Sequence, residues 1–290
     1  MDLTFTKMHG LGNDFVVIED LSSTWNLTSD AVAWLCDRHF GIGGDGLILV
    51  RRSARADAEF YMHYCNADGS LAEMCGNGIR CFAKYLVDQE LVGDDVTELM
   101  IDTLGGLKPV TVVRGDDGLM DVATVDMGEP VLIPAEIPAR FDGDAVLDAL
   151  LGTSFGDVHV TVVSMGNPHA VIWVDDVDDA PVETLGPEIE VHNRFPHHTN
   201  VEFVQVLAPD RVRMRVWERG VGETLACGTG ACAVVVATAL TGQTGRSVTV
   251  ELPGGELEIL WGEDGRVRMT GSATEVFQGV VRLTDVDDAP

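Results

Sequence analysis

Two short stretches of the sequence place a cysteine directly before a Gly-x-Gly turn. Residues 73–82 read EMCGNGIRCF, and residues 226–233 read ACGTGACA. In each stretch the turn leads into a run of helical length, so Cys75 and Cys227 are predicted to lie at the N-terminal ends of two helices. A thiol in that position is a candidate for acid–base chemistry, and its occurrence twice in one chain needs an explanation.

The N-terminal end of a helix carries unpaired N–H groups and a partial positive charge, and both favour an anion. We therefore expect a lowered thiol pKa, and a ready thiolate, at Cys75 and at Cys227. For a single Cys-Gly pair, a buried structural cysteine is an equally good interpretation. The same helix ends would form two cradles for a carboxylate, made by the N–H groups of Gly76, Asn77, Gly228 and Thr229.

Three matches in the same order relate the two halves of the chain. GLGNDFVVIED (10–20) resembles SMGNPHAVIWVDD (164–176), the two cysteine stretches resemble each other, and GGLKPVTV (105–112) resembles GGELEIL (254–260). Each match is offset by about 150 residues, which indicates two similar halves and not a solenoid of short repeats. With the boundary near Gly118, the prediction is an N-terminal half of 1–118, to which 274–290 returns, and a C-terminal half of 119–273.

A pseudo-twofold arrangement of the halves would point both helix ends at one cleft, with a substrate between two sulfurs. One thiolate could then remove a proton from one face of a carbon while the other thiol returns a proton to the opposite face. Backbone donors that hold the adjacent carboxylate in a water-poor cleft would stabilise the carbanion. The pattern predicts inversion by general acid–base catalysis without a cofactor.

The rest of the chain indicates a strand-rich fold. Alternating or β-branched runs recur about every ten residues, with Gly, Asp and Pro between them, and these predict strands. Residues 140–157 are expected to form a loop with a short helix. Ser29 or Asp30 is the expected N-cap of the first helix, and the third, apolar on every side, is expected to be buried. Only three segments have helical length, namely residues 28–40, 76–91 and 228–242.

Composition narrows the class of partner. The chain of 290 residues has 47 Asp and Glu against 19 Lys and Arg, a formal charge of −28, which argues against nucleic acid and anionic membranes. The first residues, MDLTFTKMHGLGNDF, lack the features of a signal peptide, and no apolar stretch approaches the length of a membrane span. We therefore expect a cytoplasmic protein.

The cysteines and glycines give little support to other kinds of site. Six cysteines in such a chain are expected to be free thiols. Cys75 and Cys81 are separated by five residues, which does not match the spacing of zinc ligands, so no metal is expected. The Gly-rich turns lack the lysine of a P-loop and the βαβ context of G-x-G-x-x-G, so nucleotide binding is a poor fit.

The motifs together resemble the diaminopimelate epimerase family, which acts without pyridoxal phosphate. The resemblance runs in order through almost the whole chain, and the combination of HGLGNDF, ERGVGET and two cysteine motifs is highly specific. The stretches that carry it are KMHGLGNDFVVIE (7–19), NADGSLAEMCGNGIRCFAKYL (66–86), SMGNPHAV (164–171), RFPHHTNVEF (194–203), VWERGVGETLACGTGACA (216–233) and LPGGELEI (252–259).

This resemblance implies an α/β fold of the α+β type, with two pseudo-symmetric domains that each wrap a barrel-like sheet around a central helix. The active site would lie in the cleft between the domains. The implied reaction interconverts LL- and meso-2,6-diaminopimelate for lysine and peptidoglycan synthesis, with Cys75 and Cys227 as the catalytic pair and no cofactor. A homodimer is an assembly that the resemblance leaves open.

The resemblance also implies a set of residues around the two thiols. Arg219 suits a forked grip on the distal carboxylate, and Glu218 suits the ammonium group and could influence a neighbouring thiol, as could His169. In isolation, Asn13 and Asn167 are more simply turn residues. The implied substrate-binding set is Asn13, Asn66, Gly76, Asn77, Asn167, Asn200, Glu218, Arg219, Gly228 and Thr229.

Two alternatives remain open from the sequence. A proline or hydroxyproline racemase-like enzyme could share the scaffold, although Glu218 and Arg219 argue for a substrate with a second amino-acid head. A non-catalytic amino-acid-binding protein would need neither thiol. One departure from the family pattern is Gly46, in GIGGDG, where some relatives carry a glutamine that contacts substrate.

Overall fold

The computed structural model of the protein describes residues 2–282, and the chain divides into two compact units. The first unit runs through Val125 and takes in the segment that begins at Gly271, and the second is Asp126–Thr270. Residues 283–290, part of the segment predicted to return to the first half, lie outside the described residues. Within the described part of the chain, no helix combines the length and the apolar composition that a membrane crossing requires.

The first unit contains two helices and strands that belong to both ends of the chain. Its elements are β1 (Asp2–Gly10), β2 (Asn13–Glu19), α1 (Ser29–Cys36), β3 (Gly46–Arg52), β4 (Phe60–Asn66), α2 (Gly76–Asp88), β5 (Glu98–Thr103), β6 (Gly106–Arg114), β7 (Met120–Gly128) and, from the end of the chain, β17 (Thr274–Arg282).

The second unit also contains two helices, and β7 and β16 run across the two points where the chain changes unit. Its elements are β8 (Val146–Thr153), β9 (Gly156–Ser164), β10 (Pro168–Trp173), α3 (Val182–Glu190), β11 (Asn200–Ala208), β12 (Arg211–Glu218), β13 (Gly222–Thr224), α4 (Gly228–Leu240), β14 (Ser247–Leu252), β15 (Gly255–Trp261) and β16 (Val267–Ser272).

Strand pairing follows the same order in both units. In the first unit β1–β2, β3–β4, β5–β6 and β6–β7 are antiparallel, whereas β2–β3 and β4–β5 are parallel. In the second unit β9–β10, β11–β12, β14–β15 and β15–β16 are antiparallel, whereas β10–β11 and β12–β14 are parallel. The parallel pairs are those that a helix connects. The architecture is mixed α and β and dominated by strands, as predicted.

Each unit encloses the helix that follows its cysteine. Helix α2 packs against β1, β2, β3, β4 and β17, and α4 packs against β9, β10, β11, β14 and β15. Most side chains of both helices are buried, and Val234, Val235 and Val236 of α4 have no exposed surface. Burial on all sides explains why α4 tolerates three consecutive valines, whose intrinsic helix preference is weak. The prediction that this helix is buried is confirmed.

Three local predictions were wrong. Helix α1 is capped by Thr28, whose hydroxyl accepts from the Ala31 N–H at 3.2 Å, and not by Ser29 or Asp30. The same helix ends at Cys36 and not near Phe40, because the Asp37 carboxylate accepts from the backbone N–H groups of His39 and Phe40 and forms a turn. Residues 146–153 form strand β8, since the antiparallel ladder with β9 outweighs the helical spacing of AVLDALL.

Helix α3 was not predicted. Its N-cap, Pro181, provides no side-chain cap, and Pro187 lies inside the helix, so the usual start and continuation signals are missing. The internal repeat contained the missing signal, because α3 connects β10 to β11 as α1 connects β2 to β3.

Candidate active site

Cys75 is the N-cap residue of α2, where the sequence places it. Its half-buried sulfur accepts from the Gly78 N–H at 3.4 Å, and its thiol donates to the Asn13 Oδ1 at 3.7 Å. The amide of Asn77 donates to the same Asn13 oxygen at 3.2 Å. A thiol, a helix N-terminus and a turn asparagine therefore meet at one place in the first unit, and the first-turn N–H groups of α2 point out of the helix there.

Asp45 determines which way the Asn13 amide points. The Asp45 carboxylate accepts from the Asn13 Nδ2 at 2.7 Å and from the Asp14 backbone N–H at 3.1 Å. With its NH₂ group directed at a carboxylate, Asn13 presents its oxygen to Cys75. Asp45 was not among the predicted site residues, and only its position in the loop before β3 could have indicated it.

Arg80 adds a buried positive charge beneath the first turn of α2. The side chain has no exposed surface, and it donates to the carbonyl oxygens of Gly76 and Ser272 and to the Asn77 Oδ1. These bonds fix the Asn77 side chain between Asn13 and Arg80. The part of Asn77 that suits a carboxylate cradle is therefore its backbone N–H.

Cys227 is the N-cap residue of α4 and occupies the corresponding place in the second unit. It is 5% exposed, and its sulfur lies 3.5 Å from the Thr229 hydroxyl. The helix that follows has the same length as α2 and begins with the same Gly-x-Gly. Both predicted catalytic cysteines thus occupy helix N-termini.

The expectation of a lowered thiol pKa was wrong for Cys227. Burial raises the pKa of the Cys227 thiol well above its usual value of 9.0, and the charges of Glu218 and Glu202 raise it further. Hydrogen bonds from Thr229 and the Gly230 N–H act in the opposite direction but are smaller effects. The helix N-terminus alone does not decide the protonation state, because desolvation and two nearby carboxylates outweigh it.

Glu218, the last residue of β12, lies next to this thiol. Burial raises the pKa of its carboxyl group, while hydrogen bonds from Thr224 and Cys227 act to lower it. The Thr224 hydroxyl donates to its Oε1. The structure therefore brings Glu218 and Cys227 together, as the family pattern implies.

His169 is fully buried and links two other groups of the site. Its Nδ1 lies 2.6 Å from the Glu202 Oε1, and its Nε2 lies 3.1 Å from the Asn167 Oδ1. Both Glu202 and His169 have no exposed side-chain surface. Glu202 was missed in the sequence, although a carboxylate inside the apolar run VEFVQV was a usable signal.

Asn200 and Arg219 form a second cluster in this unit. The Asn200 amide donates to the Pro168 carbonyl at 2.9 Å, and its oxygen accepts from the Arg219 backbone N–H at 3.0 Å. The exposed Arg219 guanidinium donates to the His197 carbonyl at 3.1 Å. The side chain of Asn200 thus holds the loop that carries Arg219.

Asn66 and Gly46 face each other across the β3–β4 ladder. Asn66 donates to the Ser70 hydroxyl at 3.0 Å, which closes the turn after β4. A Cβ at Gly46 would lie 2.6 Å from both the Cys65 carbonyl oxygen and the Tyr64 ring. A glutamine side chain therefore does not fit this backbone. No three His, Cys, Asp or Glu side chains within residues 2–282 are grouped to hold a metal ion.

A family model described as diaminopimelate epimerase matches residues 5–133 and 161–276. The chain belongs to the diaminopimelate epimerase family. It is 48% identical to the diaminopimelate epimerase of Leptospira biflexa, covering 98% of this chain and all of that one, and 50% identical to that of Heliobacterium modesticaldum, covering 97% and 100%. The diaminopimelate epimerase of Methanococcus maripaludis is 47% identical over 97% of this chain and all of its own.

Solved structures share the fold of this diaminopimelate epimerase family member at much lower sequence identity. A probable proline racemase from Agrobacterium radiobacter, with bound carbonate, has a TM-score of 0.69 at 17% identity and covers 98% of this chain and 94% of its own. A PhzF-family phenazine biosynthesis protein from Bacillus anthracis has a TM-score of 0.69 at 15% identity, with 97% and 99% covered. Family membership makes the chain an isomerase, and these two likenesses concern the fold alone.

Proposed function

We propose that this chain interconverts LL- and meso-2,6-diaminopimelate by proton transfer at one α-carbon, with Cys75 and Cys227 as the acid–base pair. The identity of the substrate is inferred from family membership and from relatives that match nearly the whole chain. The observation that carries the chemistry is that both cysteines are the N-cap residues of equivalent helices, in two units with the same strand order. A thiol is required twice only if both act, because binding an amino acid needs neither.

In the proposed reaction one cysteine is a thiolate and the other a thiol. The thiolate takes the α-proton, the electron pair stays on carbon, and the opposite thiol gives its proton to the other face, so the configuration inverts. The two sulfurs exchange roles, and the reverse reaction uses them in the opposite order.

The first turns of α2 and α4 are the proposed binding site for the carboxylate next to the reacting carbon. Their N–H groups supply preorganised donors where negative charge develops on the carbanion. The groups assigned to this task are the backbone N–H groups of Gly76, Asn77, Gly228 and Thr229.

The distal amino-acid head is assigned to a second group of side chains. Arg219, exposed and long, suits the distal carboxylate, and Glu218 suits an ammonium group. Binding energy from this remote end orients the reacting end. We assign Asn13, Asn66, Asn167 and Asn200 to the substrate, and Asn200 also holds the loop of Arg219.

A proline racemase-like activity is the alternative within this fold. It would leave Glu218 and Arg219 without a substrate partner, since proline has no second head. The likeness to the probable proline racemase rests on 17% identity, whereas the family match covers most of the chain.

One experiment tests the proposal and separates it from the alternative. The chain is incubated with LL-diaminopimelate in D₂O, and deuterium at the α-carbons and the fraction of meso isomer are followed by NMR and chiral chromatography. Meso product with one deuterium is expected. Cys75→Ser and Cys227→Ser should each lower kcat about 100-fold or more, because serine is a far weaker acid–base group at neutral pH.

Cys36→Ala, which removes a buried thiol of the α1 core, serves as the control and should keep most of the activity. A parallel incubation with proline in D₂O tests the alternative. Deuterium exchange into proline and none into diaminopimelate would replace the proposal with that alternative. Near-native rates in either serine variant would remove that cysteine from the mechanism.

A further inference from the structure

Glu202 is a charged residue in a place that the fold fills with apolar side chains. It lies in β11 between Val201 and Phe203, and none of the three has exposed surface. One carboxylate oxygen is 2.6 Å from the His169 Nδ1, and the other is buried without a hydrogen-bond partner among the described residues. A buried carboxylate in this state costs free energy that must be offset elsewhere.

The carboxylate also lies against the first turn of α4. A Cβ built on Gly230 would be 2.8 Å from the Glu202 Oε1, 3.3 Å from the Cys227 Cβ and 3.4 Å from the Cys227 Sγ. The Glu202 oxygen and the Cys227 sulfur thus border the same small space, and only a glycine leaves room for both.

The first unit shows what occupies this place when no charge is needed. Across β2–β3, Phe15 pairs with Gly46 and Val17 with Ile48, as His169 pairs with Asn200 and Val171 with Glu202 across β10–β11. Phe15 and Ile48 are therefore the counterparts of His169 and Glu202. A Cβ on Gly78 would be 3.4 Å from the Ile48 Cδ1 and 3.6 Å from the Phe15 ring, so these apolar side chains line the same place beside Cys75.

The two units show whether the His169–Glu202 pair serves folding or chemistry. The first unit forms the same strand pairs and the same helix with an apolar pair, so the polar His169–Glu202 pair of the second unit is not required for the fold. Replacing a buried ionic pair by apolar groups of similar volume is often neutral or stabilising. A pair kept at this cost beside a thiol points to a role at that thiol.

We propose that Glu202 is a positioning residue for Cys227: it fixes the His169 ring and places a second buried negative charge beside the sulfur. A carboxylate only accepts, so His169 donates from Nδ1, and its Nε2 is left facing Asn167. This inference rests on the proposed function and assigns one more residue to it.

The titratable groups around Cys227 come from three strands. Glu202 on β11 and Glu218 on β12 contribute carboxyl groups, and His169 on β10 lies between Glu202 and Asn167. Thr229 of α4 contacts the sulfur without adding charge. Burial and the two carboxyl groups beside the sulfur disfavour its thiolate form, so we assign Cys227 as the thiol member of the pair in the resting site.

The test is the Glu202→Gln variant of the full chain, with Glu251→Gln as the matched control. Glu251 lies on β14 and forms ion pairs with Arg211 and Arg213. Alkylation of Cys227 and of Cys75 by iodoacetamide is followed against pH by mass spectrometry of the two peptides, and epimerisation is measured in parallel.

In Glu202→Gln the apparent pKa of Cys227 should fall by about one unit. At a pH below that pKa, the thiolate fraction, and with it the alkylation rate, should then be about tenfold larger. The profile of Cys75 should stay as in the native chain, and kcat should fall about tenfold or more with a shifted pH profile. Glu251→Gln should match the native chain in the Cys227 profile, in the Cys75 profile and in kcat. An unchanged Cys227 profile in folded Glu202→Gln overturns the proposal.

A double variant, His169→Phe with Glu202→Ile, copies the apolar pair of the first unit and decides the case if Glu202→Gln does not fold. Its melting temperature should equal or exceed that of the native chain, and its kcat should fall at least tenfold. Native activity would overturn the proposal.

The alkylation measurement needs no diaminopimelate, so it tests the role of Glu202 separately from the proposed function. If the native chain failed to epimerise while the Cys227 profile still shifted, the proposed function would fail and the role of Glu202 at the thiol would stand.

Discussion

At the scale of single residues, a cluster of four charges holds Asn13 in place. Asp45 orients the Asn13 amide, Arg38 donates to both Asp45 and Asp14, and the buried Lys7 lies 2.6 Å from the Asp14 carboxylate. Together these charges determine that an oxygen and not an NH₂ group of Asn13 faces the Cys75 thiol. Their effect is measurable as a dependence of stability on pH.

Asp14→Asn tests the strength of this cluster. Burial acts to raise the pKa of Asp14, but hydrogen bonds and charge from Arg38 and Lys7 outweigh it and bring the pKa to about 2. Because this is below the unfolded value of 3.8, Asp14 stabilises the fold fully above about pH 5, and the contribution is lost as pH falls through about 2. The stabilisation is on the order of 2 kcal/mol.

Urea unfolding of the native chain and of Asp14→Asn between pH 7 and pH 2 measures this contribution. The free-energy difference between them should be largest at pH 7 and should narrow steadily below about pH 4. Asp116→Asn, in an exposed turn, is the control and should show no such trend. A difference that is the same at pH 7 and at pH 2 would show that Asp14 is not held as a buried carboxylate.

At the scale of elements, α2 and α4 present the same first turn to different surroundings. Both begin after an N-cap cysteine with Gly-x-Gly, and the third helical residue is Gly78 in one and Gly230 in the other. Gly78 faces Ile48 and Phe15 at ordinary van der Waals distances, whereas Gly230 faces the Glu202 carboxylate too closely for a Cβ. Gly230 is therefore required to leave room for a carboxylate, whereas Gly78 leaves room that an alanine could fill.

Alanine substitution at the two glycines should separate these requirements. Gly230→Ala should lower the free energy of unfolding by about 1–3 kcal/mol, because the methyl group overlaps a buried carboxylate. Gly78→Ala should be neutral or stabilising by less than about 1 kcal/mol, since alanine is the better helix former. Thermal and urea unfolding of both variants measure the difference, and equal effects at both sites would contradict the crowding at Glu202.

At the scale of the whole molecule, the chain uses one strand order twice and equips the two copies with different chemistry. The first copy surrounds its thiol with Phe15, Ile48 and the buried Arg80, and the second with His169, Glu202 and Glu218. Duplication supplies two helix N-termini, and divergence of side chains makes the two thiols unlike. In the proposed reaction one sulfur holds a proton while the other accepts one, and the unlike surroundings favour Cys227 as the protonated member of the resting pair.

The net charge of −28 is also a property of the whole molecule. Repulsion among the acidic side chains destabilises the folded chain and is screened by salt. Raising NaCl from 20 mM to 0.5 M should therefore increase stability by about 1 kcal/mol, or roughly 2–4 °C in melting temperature. Choline chloride at equal ionic strength should act alike. A melting temperature that falls with both salts would show that ion pairs dominate over repulsion.

Much of the architecture could be read from the sequence, because it depends on local signals and on the repeat. The alternation of apolar residues predicted the strands, and the cysteine-glycine turns predicted the starts of α2 and α4. Helix α3 and strand β8 were missed, because the first lacks capping signals and the second has helical spacing that its pairing with β9 overrides.

Residue types and spacing by themselves determined the two thiols, their helix positions and the kind of chemistry they can do. Only the tertiary structure decided the electrostatic surroundings of each thiol. Glu202 lies 25 positions from Cys227 in the chain. It lies beside α4 because β11, which carries it, pairs in parallel with β10 next to that helix. Desolvation and charge act through space, so a lowered pKa at Cys227, reasonable from the helix terminus alone, was reversed by neighbours that the motif does not contain.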